Sequence, residues 1–157
     1  MKDKLAGTAL LSIACTLLAG CATIPPTPDS PISLPVSFTE VYYRPTLAKP
    51  GFLVMTDTGT VTVRTNGVAF TGKKSTTEEI TYEKIQHLSF GKVGSDFINN
   101  WVTVKYRDGE RDSYALFSGG KNVGPLLGWG GVGVAARIFQ SIRFALDQKG
   151  LGSVVEK

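Results

Sequence analysis

Apolar and polar residues alternate through most of the chain between residues 36 and 117, and this pattern predicts short antiparallel strands. Alternation places every second side chain on the same face of a sheet, so one face can be buried while the other meets water. The strand segments are VSFTEVYY, GFLVMTDTGTVTVRTNGVAFTG, EEITYEKIQHLSF and NNWVTVKYRDGERDSYALFS. Turns are predicted at Asp57-Thr58-Gly59, Asn66-Gly67 and Asp108-Gly109. Asn-Gly is typical of a tight hairpin, because both residues accept the positive φ that such a turn requires.

The last of these hairpins has the clearest pattern. One face of its first strand carries apolar residues at every second position: Val102, Val104 and Tyr106. The intervening residues share the opposite face: Trp101, Thr103 and Lys105. On the return strand we expect Tyr114 and Leu116 to be the inward-facing pair.

After Ser118 the period of the pattern changes from two residues to the 3.6 residues of a helix. A glycine-rich stretch, GGKNVGPLLGWGGVG, comes first, and VAARIFQSIRFALDQ follows with helical spacing. The predicted apolar face of this helix consists of Ala135, Ile138, Phe139, Ile142, Ala145 and Leu146. Gly150 and Gly152 are expected to end the helix, and residues 148–157 to leave it as a short polar tail.

A series of about seven strands followed by one amphipathic helix resembles a pleckstrin-homology-like (PH-like) barrel. The bacterial PH-like and GRAM-like domains are the closer resemblance, through two short motifs. These read Gly51-Phe52-Leu53-Val54-Met55-Thr56 and Ile80-Thr81-Tyr82-Glu83-Lys84-Ile85. The resemblance implies a mainly β domain over residues 36–147, with a partly open antiparallel barrel capped by the C-terminal α-helix.

The first 20 residues have the features of a secretory signal peptide. A positively charged start precedes a largely apolar run from Leu5 to Gly20, which is shorter than the roughly 20 residues that cross a bilayer. Leu18-Ala19-Gly20-Cys21 resembles the bacterial lipobox. That resemblance implies cleavage before Cys21, a diacylglycerol on its thiol and an acyl group, such as palmitate, on its amine. Residues 21–35 then form a proline-rich tether, because five prolines disfavour helix there.

The lipobox resemblance also predicts where the protein lies. It implies a lipid-anchored protein of the bacterial cell envelope. In a host with two membranes, Ala22 directly after the cysteine implies the inner leaflet of the outer membrane facing the periplasm, because the resemblance associates Asp at that position with inner-membrane retention.

The net charge and the cysteine content limit the kinds of partner and site that the sequence predicts. The formal net charge is +4, and it falls to about +3 when residues 1–20, with Lys2, Asp3 and Lys4, are removed. Such a mild charge does not predict a nucleic-acid partner. Cys15 lies within the signal peptide, so the mature chain has no thiol besides Cys21 for a disulfide, a metal site or a nucleophile. The expected partners are the membrane, through the Cys21 lipid, and an envelope protein.

No catalytic, cofactor or metal site is predicted. His87 is the only histidine, and without a nucleophile-elbow motif it is expected to be a surface residue on a strand. One histidine without ligand-spaced carboxylates does not predict a metal site. The segment Gly128–Gly133 fits G-x-G-x-x-G, but no parallel βαβ unit surrounds it, so we interpret it as a loop that leads into the helix.

An exposed apolar tip is the candidate contact surface, since tryptophan suits boundaries between water and apolar groups. Its residues are Leu126, Leu127 and Trp129, and Phe144 on the helix is a further candidate. The sequence thus predicts a non-catalytic binding or scaffolding module of the envelope. The alternatives are a lipid- or small-ligand-binding domain with a site between helix and barrel, and an enzyme of the cell envelope. The first would need an open cavity where Phe139 and Ile142 are expected to fill the space.

Overall fold

The structure is a computed structural model, and it describes residues 31–47, 56–94, 96–119 and 130–156. The strands are β1 Val36–Arg44, β2 Asp57–Val63, β3 Gly67–Gly72, β4 Thr77–Thr81, β5 Ile85–Val93, β6 Asp96–Asp108 and β7 Arg111–Gly119. The α-helix, α1, is Gly130–Gln148, and two 3-10 helices span Tyr82–Lys84 and Gly152–Val154. Within these ranges, no helix has the length and apolar character needed to cross a membrane.

The strands form one antiparallel sheet in the order β4-β3-β2-β1-β7-β6-β5. Its edge strands β4 and β5 follow each other in the chain and are joined by the first 3-10 helix, so the sheet is open between them. Along this connection Ile80, Tyr82 and Ile85 are buried, at the apolar positions of the second motif. The mainly β fold, with seven strands and one C-terminal helix, is confirmed.

A single main core lies between the curved sheet and α1. All seven strands contribute to it, and its largest fully buried side chains include Tyr43, Phe70, Tyr82, Phe117, Ile80 and Leu88. The predicted apolar face of α1 is buried there in full: Ala135, Ile138, Phe139, Ile142, Ala145 and Leu146. The helix begins at Gly130, four residues before the predicted start, and ends at Gln148 as predicted.

The hairpin of β6 and β7 has the predicted turn but a different inward face on β7. Asp108 pairs with Arg111, and Gly109 has a φ of 61° in the two-residue loop between them. This register places Val102 opposite Phe117. Ala115 and Phe117 therefore enter the main core, and the expectation that Tyr114 and Leu116 point into it is wrong.

The structure also differs from two of the predicted turns. Asp57-Thr58-Gly59 is the start of β2 rather than a turn. At Gly59 a Cβ atom would collide with the Thr71 carbonyl oxygen, so this glycine permits close approach of β3. Asn66-Gly67 does join β2 to β3, but neither residue has a positive φ.

Both ends of the described domain pack against it. Leu34 and Val36, at the junction of the tether and β1, are partly buried against the main core. After α1, Leu151, Val154 and Val155 also pack there, and Val155 forms a parallel bridge with Leu88 on β5. The residues predicted as a polar tail therefore include an apolar segment that returns to the sheet, because burying these side chains is favourable. The predicted signal peptide and residues 21–30 of the tether lie outside the described residues.

Candidate functional site

The outer face of the central strands, opposite the main core, carries a second group of buried side chains. Tyr42, Trp101 and Leu116 are its buried members, and Val93 and Tyr114 pack against them. They come together because β1, β7 and β6 are neighbours in the sheet. We refer to this group, with Arg44, as the outer-face cluster.

A β-bulge in β1 decides which side chains of this strand reach the outer-face cluster. The pairing with β2 shifts between Phe38 and Val41, and Glu40 has a φ of 54°. Because the bulge adds one residue, Phe38 and Val41 both face the main core, and Arg44 lies on the outer face beside Trp101. Simple alternation from Phe38 would have directed Arg44 into the main core.

Arg44 is the charged member of the outer-face cluster and is only 4% exposed. Its guanidinium carbon lies 4.8 Å from the centroid of the Trp101 ring, which is a cation–π distance. Burial lowers the pKa of Arg44, and the negative charge of Asp96 partly offsets this. The Nε and Nη2 atoms are buried and have no hydrogen-bond partner. Because the guanidinium stays protonated in proteins, two donor nitrogens of a buried cation are unpaired.

Asp96, the first residue of β6, fixes the Trp101 ring against which Arg44 lies. The indole Nε1 donates to Asp96 Oδ2 at 2.8 Å. The backbone N–H of Asn99 donates to Oδ1 at 2.9 Å, and its side-chain Nδ2 donates to Oδ2 at 3.0 Å. Both carboxylate oxygens are thus engaged, so the carboxylate and the indole hold each other in one orientation.

This arrangement suits recognition of an oxygen-bearing group rather than proton transfer. Nε–H and Nη2–H lie on the same edge of the planar guanidinium, so both point towards one acceptor group. Another polar atom of the outer face does have a partner: the Ser118 hydroxyl donates to the Asn100 carbonyl oxygen at 2.8 Å. A buried donor without an acceptor costs about 1–3 kcal/mol, and more when it is charged. An incoming acceptor would remove that cost.

A second polar group lies on the core side of the sheet. Glu78 on β4 accepts from the Tyr43 hydroxyl at 3.0 Å and from the Tyr106 hydroxyl at 2.6 Å. Burial, together with the nearby Glu78 carboxylate, raises the pKa of both tyrosines. The Tyr43 ring also stacks on Phe70, with centroids 4.5 Å apart. Glu78 therefore ties β4 to β1 and β6, and its two oxygens are already occupied by donors from the chain itself.

Three residues of the predicted contact surface lie outside the described residues: Leu126, Leu127 and Trp129. The predicted lipidation site, Cys21, also lies outside them. Phe144 is on α1 and partly buried, and it belongs to neither the main core nor the outer-face cluster. His87 lies on β5 with 46% of its side chain exposed, and its Nε2 is 3.5 Å from Glu156 Oε2. Within the described ranges, no three His, Cys, Asp or Glu residues are grouped as metal ligands.

The space between helix and sheet, where a small-ligand site was an alternative, is occupied by side chains. Phe139 is 3% exposed and Ile142 is fully buried. A cavity of about 60 Å³ lies beside α1, lined by Pro31, Ile32, Ser33, Val36, Phe38, Arg137, Gln140 and Ser141. Small-molecule sites usually enclose about 300–1,000 Å³, so this cavity does not favour the alternative.

Sequence reasoning missed Arg44, Asp96 and Glu78. Charged residues in strands are expected at water-facing positions. A signal was present in β1, where the two tyrosines Tyr42 and Tyr43 are adjacent and precede Arg44. Two adjacent aromatic residues indicate that both faces of the strand are covered at that point, since their side chains point in opposite directions.

Of the comparisons with known proteins, the search of solved structures gives matches. Neither the protein-family models nor the curated proteins give a match to this chain. Among solved structures, a chain of "The 8S snRNP Assembly Intermediate" superposes with a TM-score of 0.49 at 6% sequence identity, covering 75% of this chain and 87% of that chain. At this level of similarity, nothing about that assembly carries over to this protein.

Proposed function

We propose that the protein is a lipoprotein of the bacterial cell envelope whose PH-like domain is a non-catalytic binding module. The lipobox at residues 18–21, after a basic start and an apolar run, supports the anchor. Each buried methylene of a lipid chain contributes about 0.8 kcal/mol, so two or three acyl chains on Cys21 give stable attachment. The tether of residues 21–35, at about 3.1 Å per residue, reaches on the order of 40 Å.

Arg44 is the observation that carries the binding role. Its Nε and Nη2 are buried without partners in the part of the chain that the structure describes. A guanidinium stays protonated at physiological pH and does not act as a general acid or base, so it contributes recognition through directed hydrogen bonds and charge. The proposed contact surface consists of the outer-face cluster and, as a separate prediction from the sequence, the apolar tip of Leu126, Leu127 and Trp129.

The anchor is tested by Cys21→Ser. This substitution removes the thiol that accepts diacylglycerol, so the precursor is expected to stay uncleaved or to be mislocalised. Intact-mass measurement of membrane-extracted protein compares the two forms, and density-gradient fractionation tests the outer membrane. Mature protein with an unmodified Cys21, or a purely inner-membrane distribution, would contradict this part of the proposal.

The binding role is tested by complementation of a deletion strain with Arg44→Gln. This substitution removes the positive charge and the paired N–H donors of the guanidinium. We expect loss of the in-cell role while circular dichroism shows a folded domain. Leu127→Asp with Trp129→Asp is expected to act likewise, because a contact surface fails when a charge must be desolvated in it. His87→Ala is the control and should complement. If His87→Ala does not complement while the Arg44 and tip variants do, the result would instead favour an enzyme.

A further inference from the structure

We infer that Arg44 receives a carboxylate of a protein partner on the edge formed by Nε–H and Nη2–H. The inference rests on the proposed binding function and names the chemistry that the module recognises. In this arrangement the partner's carboxylate, from an acidic side chain or a chain terminus, accepts both hydrogen bonds while Trp101 supports the face of the guanidinium.

The pair of unpaired atoms is the first step of the argument. Nε and Nη2 are the two nitrogens of one edge of the guanidinium, and both lack a partner. That edge matches the two coplanar oxygens of a carboxylate, which is the common bidentate geometry of arginine. The opposite arrangement, with one unpaired nitrogen on each edge, would not favour a single bidentate group.

The charge of the site is the second step. Among the described residues, Arg44 is the only buried cation, and Asp96 is the carboxylate whose charge acts on it. A dianionic phosphate would leave a larger excess of negative charge beside Asp96 than a singly charged carboxylate. Excess buried charge is costly, so a carboxylate is favoured over a phosphate.

The source of the carboxylate is the third step. Segments 48–55 and 120–129, which adjoin β1 and β7 in the chain, contain no Asp or Glu. Asp96 has both oxygens engaged by Trp101 and Asn99. Within the mature residues before the domain, Asp29 is the one acidic residue. It precedes the start of β1, whereas Arg44 is the last residue of that strand. We therefore assign the carboxylate to another molecule, and Asp29→Asn tests the source within the chain.

Access to the site is the fourth step. Arg44 is followed by three exposed residues, Pro45, Thr46 and Leu47. Leu47 is 41% exposed and is the one large apolar side chain that is exposed among the described residues. Arg44 is the last residue of β1, so its buried guanidinium lies at one end of that strand, next to these exposed residues. A protein partner could contact Leu47 with apolar surface while its carboxylate reaches Arg44, whereas a free anion would use only the second contact.

The first experiment follows the side-chain Nε–H resonances of arginine in the mature, ¹⁵N-labelled full chain in detergent micelles. Sodium acetate, sodium phosphate and sodium chloride are added at matched ionic strength. We expect acetate to move the Arg44 resonance saturably and chloride to leave it in place, with Arg107 and Arg137 as internal controls. Arg44→Lys assigns the signal. A resonance that acetate does not move, or that phosphate moves as strongly, would overturn the inference.

The second experiment places a photo-crosslinking amino acid at position 47 of the full-length protein in cells. We expect a crosslinked protein band that is lost in Arg44→Gln and Arg44→Lys and retained in His87→Ala and Asp29→Asn. Mass spectrometry should map the crosslink close to an Asp, a Glu or the C-terminus of the partner. The inference would be overturned by crosslinks to lipid only, or by a protein band that persists in the Arg44 variants. Loss of the band in Asp29→Asn would overturn it as well. The acetate titration does not require attachment to a membrane, and the anchor is tested separately by intact mass, so failure of this inference is distinguishable from failure of the anchor.

Discussion

The indole N–H of Trp101 donates to Asp96 at 2.8 Å, and the ring held by this bond carries the Arg44 guanidinium on its face. The two residues are only five positions apart on β6, yet they join the start of that strand to the last residue of β1. A local hydrogen bond thereby positions a long-range contact. The orientation of the candidate site depends on this pair.

Replacing Asp96 tests this dependence. Asp96→Ala removes the acceptor for Trp101 and for both donors of Asn99, so the free energy of unfolding should fall by about 2 kcal/mol or more. Urea denaturation followed by circular dichroism measures the change. Glu79→Ala is the matched carboxylate control, because Glu79 is 72% exposed and pairs with Arg64 at 3.3 Å. Exposed pairs contribute about 0–1 kcal/mol, and equal losses in the two variants would contradict the role of Asp96.

The bulge residue Glu40 gives a prediction of opposite sign. Its φ of 54° lies in the left-handed region, which glycine adopts readily and which is unfavourable for a glutamate. Glu40→Gly should therefore raise the free energy of unfolding by about 0.5–1 kcal/mol, despite loss of the exposed ion pair with Lys73. Thr39→Gly, at the neighbouring exposed position without a positive φ, should lower it instead. Thermal or urea unfolding of both variants checks the signs, and destabilisation by both would show that the bulge is not strained.

Ile142 tests the docking of α1. The side chain is fully buried in the main core, so Ile142→Ala should cost on the order of 2–5 kcal/mol of stability. Arg143→Ala, one position further on the exposed side of the same helix, is the control and should have little effect. Chemical denaturation gives both values. A loss below about half a kilocalorie for Ile142→Ala would mean that the helix does not pack as described.

Acid should weaken the domain through Asp57. Burial raises the pKa of this carboxyl, but hydrogen bonds from Thr76, Thr58 and Lys74 outweigh it, so the pKa lies below its ordinary value. A lowered pKa in the folded state stabilises the fold above the unfolded-state pKa of about 4, and that contribution is lost as the pH falls through the folded-state pKa.

Urea denaturation at neutral pH and at about pH 3 measures this effect. Asp57→Asn should be less stable than the wild type at neutral pH and should show a smaller difference between the two conditions. Asp108→Asn, an exposed residue of β6, should retain the full pH dependence. If Asp57→Asn also retains it, other carboxylates such as Asp112, which accepts from Lys105 at 2.8 Å, are responsible.

The sequence by itself determined the elements that depend on local periodicity. All six residues of the predicted helical face are buried, because a 3.6-residue repeat of apolar side chains has one favourable orientation against a core. The Asp108-Gly109 turn also followed from local chemistry, since Gly109 adopts the positive φ that such a loop requires. The interpretation of Cys21 as a lipobox cysteine also rests on neighbouring residues in the sequence, and it stays a prediction.

Only the tertiary structure decided which faces the strands present. Register is fixed by a turn or a bulge elsewhere in the strand, and a shift of one residue reverses every side chain after it. The two-residue loop at Gly109 thus assigns Phe117, not Leu116, to the main core. The extra residue at Glu40 likewise assigns Tyr43 to the core and Arg44 to the outer face. No periodicity in the sequence marks either assignment, because both depend on pairing between strands that are distant in the chain.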